Sequence, residues 1–310
     1  MTRLRVAVIG AGAVGGYYGA LLARAGHEVY MLARGPHLRA LAERGIMVWS
    51  PLGDFVAHPQ AVGDLDDVGV VDLVLLAVKT YDNDVALPLL RTVVGSDTAV
   101  LTLQNGVRSM HEVAAVVGER AVLAGPTYIA TALAGPGFIE QTGTHRRIVF
   151  GEAFAPSAGP SPRVTALARI LSAAHVQAEP VGDARVPLWE KFIYLAPFAS
   201  VTGAARRPAG VVWSDPDLKA VFLRAVRETE AVARASGIAV PDDTVSRIER
   251  YMDALPPTTR SSLLIDLEAG KRIENEALAG EVVRLGRRLG VETPVMAALH
   301  AVLKPWAGGR

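Results

Sequence analysis

The sequence predicts an α/β N-terminal domain followed by an all-α C-terminal domain. Over residues 1–182, short apolar runs without polar alternation recur between helical patterns, as is typical of parallel strands covered on both faces. The first of these runs leads into a glycine-rich loop and then into a helix. After the pair Gly182-Asp183, long helical patterns follow and no convincing strand does. We therefore predict one domain over 1–182 and a second, helical domain over 183–310.

The first α/β segment carries a glycine motif. An apolar strand ends at Ile9, the spacing Gly10-x-Gly12-x-x-Gly15 follows, and a helix continues to Gly26 before a second strand at 28–32. The first glycine permits a tight turn, the second lets backbone approach a pyrophosphate, and the third lets helix and strand pack closely. The phosphates would lie at the helix N-terminus, where unpaired N–H groups and the helix dipole favour anions. This Rossmann-like unit predicts dinucleotide binding by Gly10, Ala11, Gly12, Ala13, Val14 and Gly15.

The end of the second strand indicates which dinucleotide binds. In a unit that prefers NAD, an acidic residue near this point accepts a hydrogen bond from the ribose 2′-hydroxyl. No Asp or Glu lies between residues 33 and 39, and Arg34 stands there instead. This arginine is either a solvated surface residue or the cation that a 2′-phosphate needs. Its position and the missing carboxylate together favour NADPH.

The other elements of the first domain follow in order along the chain. They are a short β excursion at 46–62, buried strands at 72–78 and 98–103, strand-like runs at 122–123, 138–141 and 147–151, a helix at 163–173 and a last strand at 176–181. Lys79 and Asn105 come directly after the two buried strands. Ligands of open α/β sheets bind beyond the carboxyl ends of the strands. We therefore treat both residues, with Arg34, as candidate site residues rather than as turn residues alone.

Composition excludes several classes of function. Of the 310 residues, 50% are hydrophobic and 20% are charged, so the chain can bury two cores of ordinary size. The net charge of +1 gives no reason to expect nucleic acid or an anionic membrane as a partner. The absence of cysteine excludes disulfides, thiolate metal ligands and cysteine nucleophiles, and the seven histidines lack metal-ligand spacing. With no apolar stretch suited to a bilayer, we expect a cytoplasmic protein without a metal.

The helical half contains a charge in apolar surroundings. Asp183 is suited to cap a helix in which Lys191 stands within an otherwise apolar stretch. A buried amine is costly unless it faces a cleft or a partner, and the alternative is a snorkelling lysine at the domain surface. Further along, Ser262 and Asp266 are spaced to share one face if their segment is helical.

Short motifs along nearly the whole chain resemble those of a known family. They are Gly10-x-Gly12-Ala13-Val14-Gly15-Gly16, Val78-Lys79-Thr80-Tyr81, Gln104-Asn105-Gly106, Trp189-Glu190-Lys191-Phe192, Ser261-Ser262-Leu263-Leu264-x-Asp266, Glu274 and Gly290-Val291-x-Thr293-Pro294. In this order they resemble the ketopantoate reductase (2-dehydropantoate 2-reductase) family. The resemblance implies an NADPH-binding Rossmann-like domain, a helical domain of the 6-phosphogluconate-dehydrogenase C-terminal type, and an active site in the cleft between them.

The resemblance also implies roles for matched positions. Lys191 matches the family's catalytic lysine, which polarises the keto group and protonates the developing alkoxide. Glu274 matches a glutamate at the join of cofactor and substrate, and Asn105 matches an asparagine that touches both nicotinamide and substrate. Lys79 and Thr131 correspond to cofactor contacts. On the substrate side, Ser262 would hydrogen-bond the substrate, and Asp266 would support that helix or bond nearby.

One departure from the family pattern concerns the substrate. The family typically carries asparagines four and eight residues after the catalytic lysine, where this chain has Leu195 and Ala199 with Pro197 between them. A site that hydrogen-bonds a hydroxyl discriminates by about 10⁴ or more against an analogue without it. Replacing both amides by apolar side chains therefore argues against unaltered recognition of ketopantoate, and Pro197 is placed to kink the helix.

These patterns leave three interpretations of function. The resemblance favours NADPH-dependent reduction of a 2-oxo acid, with ketopantoate giving pantoate in pantothenate biosynthesis. Alternatives are a reductase of the same scaffold for a more apolar 2-oxo acid or a related carbonyl or imine, and a noncatalytic NADPH-binding sensor. The apolar stripe of the helix after residue 215 is more typical of core than of a dimer face, so monomer and homodimer both stay open.

Overall fold

The computed structural model describes residues 3–310, which form two compact units. Unit 1 contains the residues up to Gln104 together with Ser109–Pro187, and unit 2 contains Asn105–Arg108 together with Leu188–Arg310. Unit 1 is an α/β structure, and every regular element of the described part of unit 2 is helical. The predicted fold class is confirmed, whereas a domain boundary at 182/183 stays a prediction.

One sheet holds the strands of unit 1. They are β1 (Arg5–Ile9), β2 (Glu28–Leu32), β3 (Ile46–Trp49), β4 (Phe55–Ala57), β5 (Gln60–Val62), β6 (Leu73–Leu76), β7 (Ala99–Thr102), β8 (Val122–Ala124), β9 (Thr127–Gly135), β10 (Phe138–Glu152) and β11 (Gln177–Pro180). Their order is β4-β3-β10-β8-β7-β6-β1-β2-β5, with β9 and β11 also paired to β10. Strands β2, β1, β6 and β7 are parallel neighbours, so their carboxyl ends lie along one edge of the sheet.

The helices of unit 1 cover this sheet. They are α1 (Ala13–Arg24), α2 (Gly35–Arg44), α3 (Asn83–Ala86), α4 (Leu90–Val93), α5 (Ser109–Val117) and α6 (Pro162–Ala173). Tyr17 and Leu21 of α1 are almost fully buried in the same core as Val8 of β1. Gly26, with φ +89°, ends the helix, and its N–H donates to the Ala23 carbonyl. The predicted strand, loop, helix and strand are thus present.

Unit 1 differs from the predicted elements in several places, and β9, α3, α4 and α5 are among the elements that were not predicted. The runs at 138–141 and 147–151 belong to the single strand β10, which pairs with β9 across an irregularity between Gln141 and Arg146. Polar residues at this irregularity interrupt the apolar pattern, and the exposed small residues of β9 give no alternation. Helix α2 was not predicted, because its opening Gly35-Pro36 is typical of a turn.

The C-terminal half is built from helices. They are α7 (Arg185–Ala205), α8 (Ala209–Ser214), α9 (Pro216–Ala235), α10 (Thr244–Ala254), α11 (Ser262–Glu268), α12 (Glu281–Leu289) and α13 (Pro294–Leu303), with a π-helical turn at Glu276–Gly280. Helix α9 packs against α8, α12 and α13 and buries Phe222, Ala225 and Val226. The Asp183 carboxylate accepts the Arg185 N–H at the start of α7. Within residues 3–310, no helix combines the length and the apolarity needed to cross a membrane.

Candidate active site

In the glycine loop between β1 and α1, the first and third glycines of the motif pack tightly against neighbouring atoms. The space beside the middle glycine is open. Gly10 has φ +104°, and a Cβ on it would lie 2.5 Å from the Val78 nitrogen. A Cβ on Gly15 would lie 2.2 Å from the Gly10 carbonyl oxygen, so only glycine lets α1 approach this closely. At Gly12, by contrast, no described atom apart from its own residue and its chain neighbours lies within 4 Å of an added Cβ. This open space is what a pyrophosphate that approaches the backbone requires.

The first turn of α1 leaves amide groups for an anion. Gly12 is the N-cap and supplies no side chain to cap the helix. The first helical hydrogen bond runs from the Gly16 N–H to the Gly12 carbonyl at 2.8 Å. The amides of Ala13, Val14 and Gly15 therefore have no acceptor within the helix. Together with the space above Gly12, they fit the phosphates of a dinucleotide.

Arg34 lies two residues beyond the carboxyl end of β2, and this end of β2 contacts the glycine loop. The Ala11 N–H donates to the Leu32 carbonyl at 3.4 Å, which joins the loop to this end of β2. Arg34 is the N-cap residue of α2, and its side chain is exposed. Its guanidinium makes no hydrogen bond or ion pair with residues 3–310. An unpaired cation at this edge of the sheet suits a 2′-phosphate.

The β9–β10 hairpin packs on α1. The Tyr17 hydroxyl donates to Gln141 Oε1 at 2.8 Å, and Gln141 is the partner of Thr131 across the hairpin. The Thr131 hydroxyl is buried and has no hydrogen-bond partner among the described residues. Buried hydroxyls are rarely left unsatisfied, so this one has capacity for a ligand or a water molecule.

Lys79 follows β6 at the sheet edge that carries the glycine loop. The preceding residue, Val78, is the one that backs directly on Gly10. Gln104, which follows β7, donates from Nε2 to the Val78 carbonyl at 2.9 Å and to Asn83 Oδ1 at 2.7 Å. These bonds tie the carboxyl ends of β6 and β7 together. The half-buried Lys79 is therefore held on a fixed backbone beside the loop.

Lys191 and Asn105 meet in unit 2. The Lys191 ammonium on α7 donates to Asn105 Oδ1 at 3.1 Å. Asn105 lies in a turn after β7, and the next residue, Gly106, has φ +93°. A Cβ on Gly106 would lie 2.9 Å from the Ala277 carbonyl oxygen, so the turn packs directly on the π-helical turn that follows Glu274. The backbone thus fixes the amide oxygen that Lys191 contacts.

The Lys191 amine titrates close to neutral pH. Burial lowers the pKa of Lys191 from its ordinary 10.5 to about 8, and the charge of Glu274 opposes that shift. The Glu274 side chain is itself only 7% exposed. Near neutral pH this amine is largely protonated yet able to release its proton. The arrangement can donate a proton to an oxygen on which negative charge develops.

Helix α11 presents Ser262 and Asp266 on one face, as its spacing predicts. Ser262 is exposed, and Asp266 is half-buried one turn further on. Ser261, which precedes Ser262, is the N-cap of α11, and its Oγ accepts the Leu264 N–H at 3.1 Å. The same Oγ lies 2.8 Å from the Thr202 hydroxyl of α7. Ser261 therefore fastens α11 to the helix that carries Lys191, a role that the sequence did not indicate.

The helical positions one and two turns after Lys191 are apolar. Leu195 is half-buried and Ala199 is buried, and neither side chain carries a polar atom. Helix α7 continues through Pro197 as one element, and a kink at Pro197 stays a prediction. The neighbouring rings of Tyr194 and Phe198 stack with centroids 5.1 Å apart. Leu195 and Ala199 therefore carry no side-chain group that could hydrogen-bond a hydroxyl.

One histidine that sequence patterns did not single out contacts the glycine loop. His37, in the first turn of α2, has Nε2 2.7 Å from the Ala11 carbonyl oxygen, and its Nδ1 accepts the Gly137 N–H at 2.9 Å. The only sequence feature that could have drawn attention to His37 is its position shortly after Arg34.

Among residues 3–310, no group of three or more His, Asp or Glu side chains could hold a metal ion.

Comparison with known proteins identifies both halves of the chain. The model "Ketopantoate reductase PanE/ApbA" matches residues 6–154, and the model of its C-terminal domain matches residues 183–307. A 2-dehydropantoate 2-reductase of Halobacterium salinarum is 31% identical over 97% of this chain and 98% of that protein. The two halves therefore match one family, in one order.

Solved structures agree with this assignment. A PanE/ApbA family ketopantoate reductase from Ralstonia eutropha JMP134 has a TM-score of 0.88 and 34% identity, covering 98% of each chain. D-mandelate dehydrogenase, solved with NADH and anilino(oxo)acetate, shares the fold with a TM-score of 0.89 over 98% of each chain, at 20% identity. The chain belongs to the ketopantoate reductase PanE/ApbA family, oxidoreductases that act on CH–OH groups.

Proposed function

We propose that the protein reduces a 2-oxo acid to the corresponding 2-hydroxy acid with NADPH. The observation that carries this proposal is the half-buried Lys191, whose amine donates to Asn105 and whose pKa is lowered to about 8 by desolvation. When a ketone is reduced, negative charge develops on its oxygen as a hydride reaches the carbon. A cation that can also release a proton near neutral pH stabilises that charge and completes the alcohol. Membership of the family supports the same chemistry.

Three features of unit 1 support NADPH as the cofactor. Open space above Gly12 and the unpaired amides at the start of α1 suit a pyrophosphate. The exposed, unpaired guanidinium of Arg34 suits a 2′-phosphate, which NADH lacks. When bound, NADPH supplies a hydride to the carbonyl carbon of the substrate. Further proposed cofactor contacts are Lys79, Asn105, Thr131 and Glu274.

The chain's own side chains would carry the proton half of the reaction. We assign Lys191 the hydrogen bond to the keto oxygen and the transfer of a proton to the alkoxide that forms. Asn105 orients the amine through the hydrogen bond already present and contacts the substrate. The charge of Glu274 keeps the amine protonated against burial. Ser262 and Asp266, on one face of α11, complete the proposed substrate contacts.

Ketopantoate is the first candidate substrate, since it gives the family its name. Leu195 and Ala199 favour a second candidate, a 2-oxo acid with an apolar side chain. Neither side chain can hydrogen-bond the hydroxyl of ketopantoate. A missing partner for a substrate hydroxyl leaves that group unpaired on burial, which weakens binding.

Oxidation of NADPH against a panel of 2-oxo acids tests both candidates. The panel contains ketopantoate, the analogue that lacks only its hydroxyl (3,3-dimethyl-2-oxobutanoate), and an aromatic member, phenylpyruvate. We expect a higher kcat/KM for the apolar acids, and a gain for ketopantoate in the double variant Leu195→Asn, Ala199→Asn. Strong turnover of ketopantoate with a micromolar KM would contradict the second candidate. Tight NADPH binding without turnover of any carbonyl compound would contradict the reductase and favour a sensor.

A further inference from the structure

His37 contacts the backbone through both of its ring nitrogens. The Gly137 N–H lies 2.9 Å from Nδ1, and Nε2 lies 2.7 Å from the Ala11 carbonyl oxygen. A backbone N–H can only donate, so Nδ1 is an acceptor and carries no proton. Nε2 therefore bears the ring proton and donates it to the Ala11 carbonyl. These two contacts define a single neutral tautomer of the ring.

The two contacts join separate segments of unit 1. Ala11 belongs to the glycine loop between β1 and α1, whereas Gly137 lies in the turn between β9 and β10. His37 stands on α2, directly after β2. The β9–β10 hairpin, whose turn contains Gly137, also carries Thr131, which we propose as a cofactor contact. The imidazole thus links the phosphate loop to a second proposed cofactor segment.

The contact with Ala11 fixes the direction of an amide in the loop. The carbonyl of Ala11 and the N–H of Gly12 belong to one planar peptide group and point in opposite directions. A donor that holds the carbonyl therefore also holds the Gly12 N–H. The backbone of Ala11 makes one other hydrogen bond outside the loop, from its N–H to the Leu32 carbonyl, and that bond is long at 3.4 Å. The His37 bond at 2.7 Å is the shorter restraint.

The surroundings leave little room for the loop to find another arrangement. The Gly137 turn, with φ +73°, packs on α2 so closely that a Cβ there would lie 3.0 Å from the Ala40 Cβ. Ala11 is only 4% exposed, so its carbonyl would lose a hydrogen bond in largely dry surroundings if the ring nitrogen were removed. Loss of the nitrogen would therefore favour rotation of the Ala11–Gly12 peptide toward another partner.

We propose that His37 is a positioning residue for the cofactor: it bonds the Ala11 carbonyl and the Gly137 amide and so holds the Ala11–Gly12 peptide in the orientation that receives the dinucleotide phosphates. The proposal rests on the proposed role of the loop in binding NADPH. It assigns His37 no contact with the cofactor or the substrate. Its effect is on the shape of the empty loop, before any cofactor binds.

Two variants and a matched control test this role. His37→Phe keeps a planar ring without nitrogens, and His37→Gln restores one acceptor and one donor. The control is His145→Phe, because His145 is exposed on β10 and its side chain makes no hydrogen bond with the described residues. We would measure amide hydrogen exchange over residues 11–16 in the cofactor-free protein, the Kd of NADPH, and kcat with the KM of each substrate.

We expect His37→Phe to speed exchange at residues 11–16 while the amides of β7 keep their protection. The Kd of NADPH should rise about tenfold, with kcat and the KM of the 2-oxo acid changed by less than about twofold. His37→Gln should recover most of the lost affinity, and His145→Phe should match the wild type. This pattern separates positioning of the loop from a general loss of stability.

Two results would overturn the proposal. One is a His37→Phe variant whose loop exchange and NADPH affinity both equal those of the wild type. The other is faster exchange throughout unit 1 together with equal losses in His37→Phe and His37→Gln, which would make His37 a packing residue. Failure of the underlying cofactor assignment is read from the wild type alone, as absence of binding to both NADPH and NADH, and it would remove the positioning role with it.

Discussion

The two candidate sites of this protein differ in the groups that form them, which are backbone groups in one and side chains in the other. The loop in unit 1 consists of backbone: its features are an open space above Gly12, tight contacts at Gly10 and Gly15, and amides without acceptors. The cluster in unit 2 consists of side chains, with the Lys191 amine against the Asn105 amide oxygen and under the influence of the Glu274 charge. We therefore expect the first site to recognise a ligand by shape and dipoles, and the second by the charge of its amine.

The difference in material sets what each site can do. A backbone loop binds phosphate without any titratable group, so its affinity depends on steric fit and on the orientation of its peptides. A buried amine pays a desolvation cost, which lowers the pKa of Lys191 to about 8 and makes proton transfer feasible near neutral pH. We therefore assign binding without chemistry to unit 1 and the reactive proton to unit 2.

Removing the reactive charge should have the largest effect. In Lys191→Ala we expect kcat to fall by about 10² to 10⁴, the usual contribution of a general acid, with the Kd of NADPH changed little. Steady-state kinetics and cofactor binding measured on the same preparation check both parts. Lys304→Ala is the matched control, because Lys304 is exposed at the end of α13. An Ala variant of Lys191 that keeps full kcat would show that the acid is misassigned.

Adding a methyl group at two points of the loop should separate fit from affinity. Gly15→Ala places a Cβ 2.2 Å from the Gly10 carbonyl, so we expect it to lower the free energy of unfolding by about 1–3 kcal/mol and to weaken NADPH binding. Gly12→Ala meets open space and should change that free energy by less than about 1 kcal/mol. It should nevertheless weaken NADPH binding, because the methyl group occupies the path of the pyrophosphate.

Urea unfolding and NADPH titration of both glycine variants provide the measurements. Since one methyl group is added in each case, the pair controls for size. Equal losses of stability in the two variants would contradict the contrast between a closed and an open side of the loop. Unchanged NADPH affinity in Gly12→Ala would contradict the assignment of the open space to the cofactor.

The material of each site also decides how much the sequence could predict. The loop is local: strand, glycines and helix are contiguous, so spacing alone predicted its turn, its close packing and its helix N-terminus. Lys191 and Asn105 are 86 residues apart. Without the family resemblance, nothing in the sequence indicates that this lysine and this asparagine are in contact. The resemblance implied their roles, and the fold supplied the 3.1 Å contact between them.

His37 and β9 show where sequence reasoning ends within unit 1. The contact of His37 with the Ala11 carbonyl depends on how α2 packs, and α2 itself begins with Gly35-Pro36, which resembles a turn. Strand β9 carries small exposed residues, so no alternation marked it. Both features are set by tertiary packing rather than by local pattern.

The pH dependence of the reaction should sharpen the comparison further. Lys191 acts as an acid only while protonated, so kcat should fall as pH rises through about 8, approaching a tenfold loss per pH unit above that value. An ordinary lysine would keep its proton until about pH 10. Because the charge of Glu274 raises the pKa of Lys191, Glu274→Gln should move this limb to lower pH.

The matched control for that shift is Glu276→Gln, since Glu276 is exposed and pairs with His300 rather than with Lys191. Profiles of kcat measured from pH 6 to 10 with saturating NADPH and 2-oxo acid separate the variants. A limb that stays near pH 8 in Glu274→Gln would show that Glu274 does not act on the Lys191 amine.

The smallest expected effect concerns the choice between dinucleotides. Arg34→Ala should raise the Kd of NADPH about tenfold, the loss of one exposed charge-assisted contact with a phosphate, and leave the Kd of NADH unchanged. Arg39→Ala is the control, because Arg39 is also exposed on α2 and lies a turn further from β2. Since Arg34 adds a side-chain charge to a site otherwise made of backbone, its effect should weaken as ionic strength rises, whereas the loss caused by Gly12→Ala should persist. Titrations at low and high salt check this, and equal NADPH affinity in Arg34→Ala and Arg39→Ala would mean that backbone alone selects the cofactor.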